Sequence, residues 1–161
     1  MFKGLTKRAQ RALTISAQEE ARRFHSAELA PEHVLLALLR EADGTAFRLL
    51  SSLKLDLNEL RLELERAAMG RRGGFLLGDA PLSRRLKSML ETAAEEAKLA
   101  GSEYIGTEHL VLAAARESGS AIEQALARYN IFQEQLRGAL QLMDPAPQES
   151  HVQRPEPVRA K

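Results

Sequence analysis

Two short segments carry the side chains best suited to chemistry, Glu32-His33 and Glu108-His109. Each is followed by an apolar run, Val34-Leu35-Leu36-Ala37 and Leu110-Val111-Leu112-Ala113, so each carboxylate is placed in the first turn of a helix. Negative charge is stabilised there by the positive end of the helix macrodipole. A carboxylate can accept two parallel bonds from a guanidinium, a geometry that a lysine ammonium cannot match. The unpaired N–H groups of the same helix end suit a phosphate. Acidic residues also occur in first turns simply because they stabilise helices, so position alone leaves ligand binding and helix stabilisation both open.

Other chemistries lack their signatures. Neither Glu-His pair has the His-Glu-x-x-His spacing that sets two imidazoles on one helical face, so packed, hydrogen-bonded histidines are expected and no metal site. No Gly-x-Ser-x-Gly elbow accompanies the scattered serines, and no Gly-x-x-x-x-Gly-Lys-Ser/Thr loop is present to cradle a nucleotide phosphate. The expectation is no enzyme, no cofactor and no catalytic residue. Arg71-Arg72 among glycines reads as a solvated loop. With no cysteine, disulfides, thiolate zinc sites and cysteine nucleophiles are ruled out together.

The elements that position the two carboxylates come from a duplication. Gln18-Glu19-Glu20-Ala21 returns 76 positions later as Ala94-Glu95-Glu96-Ala97, and Pro31-Glu32-His33 returns at the same spacing as Thr107-Glu108-His109. The match continues through Glu41 and Glu117, Leu60 and Leu136, Arg61 and Arg137. Upstream, Leu5-Thr6 and Leu82-Ser83 are 77 apart, so the first copy carries one extra residue in its first helix. One extra residue rotates the two ends of a helix by about 100° relative to each other unless a bulge absorbs it.

Each copy reads as four helices. The first pair starts behind Thr6 and Ser83 as N-caps, with a buried stripe of Ala9, Ala12, Leu13 and Ala17 matched by Leu86, Met89, Leu90 and Ala93. The second pair, residues 31–40 and 107–116, is apolar on nearly every side, as suits a surrounded helix. The third pair follows turns at Asp43-Gly44 and Ser118-Gly119-Ser120, where Ser120 and Glu123 have capping-box spacing. The fourth pair buries Leu57, Leu60, Leu64 and Ala68, then Phe132, Leu136, Ala139, Leu140 and Met143. The fold expected is all-α, a tandem of four-helix repeats forming a pseudo-twofold eight-helix bundle. Its divisions are a first repeat at 1–69, a flexible linker at 70–81, a second repeat at 82–143 and a Pro-rich disordered tail at 144–161.

The segments Leu5-Thr6-Lys7-Arg8-Ala9, Ala17-Gln18-Glu19-Glu20-Ala21, Pro31-Glu32-His33-Val34-Leu35-Leu36-Ala37 and Tyr104-Ile105-Gly106-Thr107-Glu108-His109-Leu110 resemble the Clp N-terminal repeat, over residues 2–143 and in both copies. The resemblance implies a non-catalytic module that receives protein substrates or adaptors for an ATP-dependent Clp unfoldase or protease. Among ClpC-type relatives it implies sites for phosphoarginine-bearing peptides. Carried over by motif, these would use Glu32, Glu108, Thr107, Thr6, Ser83, Arg8 and Arg85. It also implies a contact groove between the first helices, involving Phe2, Leu5, Leu82 and Lys87. Copy one has Ala30-Pro31 where the family has Gly-Thr, so the hydroxyl of Thr107 has no counterpart at the first site and unequal affinities are expected.

An alternative is a free-standing regulatory subunit docking on a Clp protease or unfoldase. A helix-turn-helix nucleic-acid binder is disfavoured, because its short helices are apolar where exposed base-reading side chains are needed. Net charge is +1, from 23 Lys plus Arg against 22 Asp plus Glu, and gives a polyanion little to follow. The longest apolar runs are six residues, far below the roughly 20 that cross a bilayer, and no secretory leader is evident. No membrane partner and a cytoplasmic location are expected. The missing nucleotide loop allows either a free-standing protein or a piece of an unfoldase, and Met1 with the ending Arg159-Ala160-Lys161 favours the former.

Overall fold

A computed structural model describes residues 4–69 and 78–143. Phe2, Arg71-Arg72, the expected linker up to residue 77 and the expected tail lie outside the described residues. Helix α1 spans residues 7–23 as an α-helical stretch Lys7–Arg11, a π-helical turn Ala12–Ser16 and a second α-helical stretch Ala17–Arg23. It is followed by α2 (Pro31–Leu39), α3 (Thr45–Ser52) and α4 (Leu57–Met69). The second copy supplies α5 (Arg84–Leu99), α6 (Thr107–Ala115), α7 (Ala121–Ala127) and α8 (Gln133–Leu142). Among the described residues the architecture is all-α, four helices from each copy.

The π-turn is where the extra residue of copy one goes. α5 covers its 16 residues as a regular helix, whereas α1 widens one turn, so that Ala9, Ala12, Leu13, Ala17 and Ala21 all still face the core. Thr14 fits its hydroxyl into the widened turn by donating to the Gln10 carbonyl at 2.9 Å.

α2 and α6 form the centre. Every residue of α2 is buried, and in α6 all but Glu108 are. Full burial of each leucine there contributes about 1.5–3 kcal/mol. Across the repeats α4 packs on α7, α8 packs on α3, and α3 packs on α6. The expected caps are in place. Thr6 Oγ1 accepts from the Ala9 N–H at 3.0 Å, Ser83 Oγ from Leu86 at 3.1 Å and Ser120 Oγ from Glu123 at 3.2 Å. The Glu123 carboxylate takes the N–H of Gly119 rather than that of Ser120.

Two features had no local signal. The segments ahead of α1 and α5 are exchanged between repeats as a pair of isolated parallel bridges, Leu5 with Ile105 and Leu29 with Leu82. Thr6 donates to the Ile105 carbonyl at 2.9 Å and Ser83 to the Leu29 carbonyl at 2.9 Å. Each repeat therefore begins on the other's α1–α2 or α5–α6 loop. Buried Gln18 fastens one crossing further, bonding both the carbonyl and the N–H of Ala80 at 2.9 and 2.8 Å.

The second feature is a duplicated ionic bolt. Glu20 is fully buried and holds Arg23 and Arg40; Glu96, 2% exposed, holds Arg116 and Arg137. Burial by itself would raise the Glu96 pKa, but the bonds from Arg137 and Arg116 outweigh it and hold the carboxyl below its ordinary value. Each bolt ties the end of a repeat's first helix to the end of its second.

Candidate functional site

The interlock brings together residues that the sequence separates widely. Glu32, in the first turn of α2, meets Arg85, in the first turn of α5, with Nη2–Oε2 at 3.0 Å and Nη1–Oε1 at 3.4 Å. Arg85 also donates to Glu117 through Nε at 2.6 Å and Nη2 at 3.0 Å. One guanidinium thus spans a carboxylate of each repeat. Bonding to Glu117 raises the Arg85 pKa, burial opposes this, and Glu32 adds to the rise. This cluster forms one wall of a cleft of about 550 Å³, closed on the other side by Glu63 and Arg66 of α4 and by the loop residues Ser118 and Gly119.

The matching place around Glu108 is built from the same positions. Arg8, the counterpart of Arg85, donates to Glu41 at 2.8 Å and Asp43 at 3.2 Å. Gly44 leaves room for the Arg8 side chain, since a Cβ there would stand 3.2 Å from Arg8 Cδ. The Glu108 carboxylate lies over Gly106, where an added Cβ would fall 2.9 Å from its Cδ and still nearer one oxygen. Glu108 keeps a fifth of its side chain exposed, Glu32 a twentieth.

The remaining expected residues fall into three groups. Thr6 and Ser83 are buried caps, with their hydroxyl oxygens turned to their own helices. Thr107 is 1% exposed, and its hydroxyl accepts from the Ala46 N–H of α3 at 3.1 Å, which spends it on joining the repeats. Of the groove residues, Leu82 and Lys87 line an apolar groove of about 400 Å³ with Leu13 and Thr14, whereas Leu5 is only 8% exposed and packs in the core against the bridge to Ile105.

His33 and His109 prove to be structural. Ala30 and Gly106 stand at the N-cap positions of α2 and α6 without a side-chain oxygen, and the histidine reaches back instead. The N–H of Ala30 donates to His33 Nδ1 and that of Gly106 to His109 Nδ1, both at 2.9 Å. This use requires neutral imidazoles. Burial lowers the His33 pKa, against a partial opposing pull from the charges of Glu32 and Glu20. No group of three or more potential metal ligands occurs among the described residues.

Glu41, Asp43 and Glu117 were missed as partners of the site. Glu41 and Glu117 could have been found, since each lies nine residues beyond a Glu-His glutamate and repeats with it. Asp43 has no acidic counterpart at 119, where Gly119 stands, and left no signal.

The profile of the Clp repeat (R) N-terminal domain matches residues 4–129. The "ATP-dependent Clp protease ATP-binding subunit ClpA homolog" of Guillardia theta is 38% identical over 126 residues, covering 78% of this chain and 15% of that protein. The chain thus spans about a seventh of the length of the curated relatives it matches. Among solved structures, the N-terminal domain (1–163) of the ClpV1 ATPase from E. coli EAEC superposes with a TM-score of 0.69 at 25% identity, covering 85% of this chain and 83% of that one. The ClpV N-domain in complex with VipB peptide gives 0.66 at 16% identity, covering 87% and 89%. Among the described residues no helix is long and apolar enough to cross a membrane. The family model's match over residues 4–129, with 37–38% identity to ClpA- and ClpC-type proteins over 78% of the chain, assigns the family: the chain belongs to the Clp repeat (R) N-terminal domain family.

Proposed function

We propose that this chain is a non-catalytic peptide-receiving module of Clp-type protein quality control, binding arginine-bearing and above all phosphoarginine-bearing segments of client or adaptor proteins at Glu32 and Glu108 for a Clp ATPase. The observation that carries the reading is the two-point contact between Glu32 and the Arg85 guanidinium at the wall of an open cleft. The carboxylate already has the geometry by which a guanidinium is held. A phosphoarginine offers that carboxylate a guanidinium and offers Arg85 an anion, so it can divide the existing pair between its own two groups without leaving either charge unmatched. An unmodified arginine brings no anion for Arg85, and so gains less. The ClpV relative solved with a peptide adds support from the same fold.

Titration of the purified chain with phosphoarginine, arginine and lysine versions of one peptide tests this, alongside Glu32→Ala, Glu108→Ala and the double variant. Affinity should fall in the order phosphoarginine, arginine, lysine. Each single variant should remove one of two binding events, and the double variant both. Absence of binding by every peptide and by purified Clp ATPase components, with the chain folded, would end the proposal.

A further inference from the structure

Arg85 and Glu117 separate the Glu32 cleft from a second groove, of about 390 Å³, that runs between α5 and α6. Its α5 wall presents Arg84, Ser88 and Thr92, spaced four residues apart and therefore on one face, with Met89 and Arg116 beside them. Three arginines line the groove against one carboxylate, Glu117. Arg85 is taken by Glu32 and Glu117, and Arg116 by Glu95 and Glu96. Among the described residues no carboxylate pairs with Arg84.

Its location makes that cation notable. The first turn of α5 contains no acidic residue and two arginines, at the helix end where the macrodipole disfavours positive charge. Arg85 is offset by the two glutamates it bridges. Arg84 has no such compensation and faces a groove whose uncharged polar side chains, Ser88 and Thr92, are hydrogen-bonding hydroxyls. From Arg84 to Thr92 the helix rises about 12 Å. An extended peptide advancing roughly 3.3 Å per residue spans that in three to four residues. The groove adjoins the cleft, with Arg85 and Glu117 lining both, so a chain whose arginine enters the cleft can lay its neighbouring residues here.

We infer that the α5–α6 groove is a flanking subsite that selects peptides with acidic side chains within three or four residues of the bound arginine. This rests on the arginine-binding reading of the Glu32 cleft and adds its sequence preference. The first copy differs at the positions that line this groove, although Lys7 keeps a cation in the place of Arg84. At the matching position of α1 the hydroxyl of Ser88 is replaced by Arg11, and the π-turn that follows inserts a half-exposed Ile15 ahead of Ser16. Whole-molecule attraction does not supply the preference, because net charge is only +1.

The test uses the full chain carrying Glu108→Ala, which leaves one cleft. Three labelled peptides share a central phosphoarginine and differ in flanks of Asp, Ala or Lys on both sides, and fluorescence polarisation gives their affinities. The Asp-flanked peptide should bind about tenfold tighter than the Lys-flanked one. Arg84→Ala should cut the ratio severalfold, Arg84→Glu should invert it, and the exposed control Arg61→Glu on α4 should leave it unchanged. Equal affinities for the three flanks, or a preference that survives Arg84→Glu, overturn the subsite while leaving the arginine reading intact. Failure of all three peptides to bind removes the arginine reading, and the subsite with it.

Discussion

Glu32 bonds Arg85 across the repeat boundary with its side chain 5% exposed, and the carboxylate of Glu108, its counterpart in the second copy, is 20% exposed and lies close over Gly106 at the N-cap of its own helix. The residue two places earlier accounts for the difference. Gly106 leaves open the space into which the Glu108 carboxylate settles, and Ala30 fills the corresponding position ahead of Glu32. One methyl group thus changes where the carboxylate can lie at the start of each repeat's second helix. The arginines differ in company as well. Arg85 is balanced between a nearly buried Glu32 and a third-exposed Glu117, while Arg8 bonds Glu41 and an Asp43 that is largely in water. Outside the π-turn the duplicated scaffold has kept its helices, and the side chains that make up each charge cluster have diverged.

The comparison breaks most readily at Arg85. Arg85→Ala would leave Glu32 in its 4% exposed position without that guanidinium, and should lower unfolding free energy by about 2–4 kcal/mol. Glu117→Ala, at a third-exposed carboxylate, should cost about 1 kcal/mol or less. Urea unfolding of both variants measures the ratio, and equal losses would show that Glu32 does not need this partner.

A smaller effect is expected with pH. His33 has a lowered pKa in the fold, so the unfolded chain takes up a proton first as pH drops below the ordinary 6.5. The stability it contributes is complete above that pH and declines below it, until the folded His33 itself protonates. Urea midpoints between pH 7.5 and 5 should fall for the natural chain. They should fall less steeply for His33→Asn, whose side-chain oxygen can still accept from Ala30.

Two conversions of one copy toward the other should give the smallest changes in stability. His25 follows α1 in the left-handed region, at φ 54°, where the second copy has Gly101 at φ 71°. His25→Gly should raise stability by about 0.5–1 kcal/mol, read as a higher thermal midpoint, because glycine accepts that conformation without a Cβ penalty. Gly106→Ala should change stability by only about 0.5 kcal/mol, since the atoms it displaces end a flexible side chain. Its readout is a two-site peptide titration, in which the Glu108 affinity should move toward that of Glu32.

The sequence alone settled what is local. A 3.6-residue apolar period and an N-cap within three residues of its donor are fixed by nearby residues, a spacing repeated across 76 positions can be read by eye, and the described helices follow from them, three with Thr6, Ser83 and Ser120 as caps. Even the surplus residue of copy one was visible, and a π-turn at Ala12–Ser16 is one of the few ways a helix can absorb it without turning its buried face outward. Only tertiary structure decided which copy's arginine meets which copy's glutamate. Arg85 and Glu32 are 53 residues apart, and Thr107 and Ala46 are 61 apart. They meet because the leading segments are exchanged between repeats, a choice governed by the packing of all eight helices and by backbone bonds at Leu5 and Leu82 that no side-chain pattern encodes.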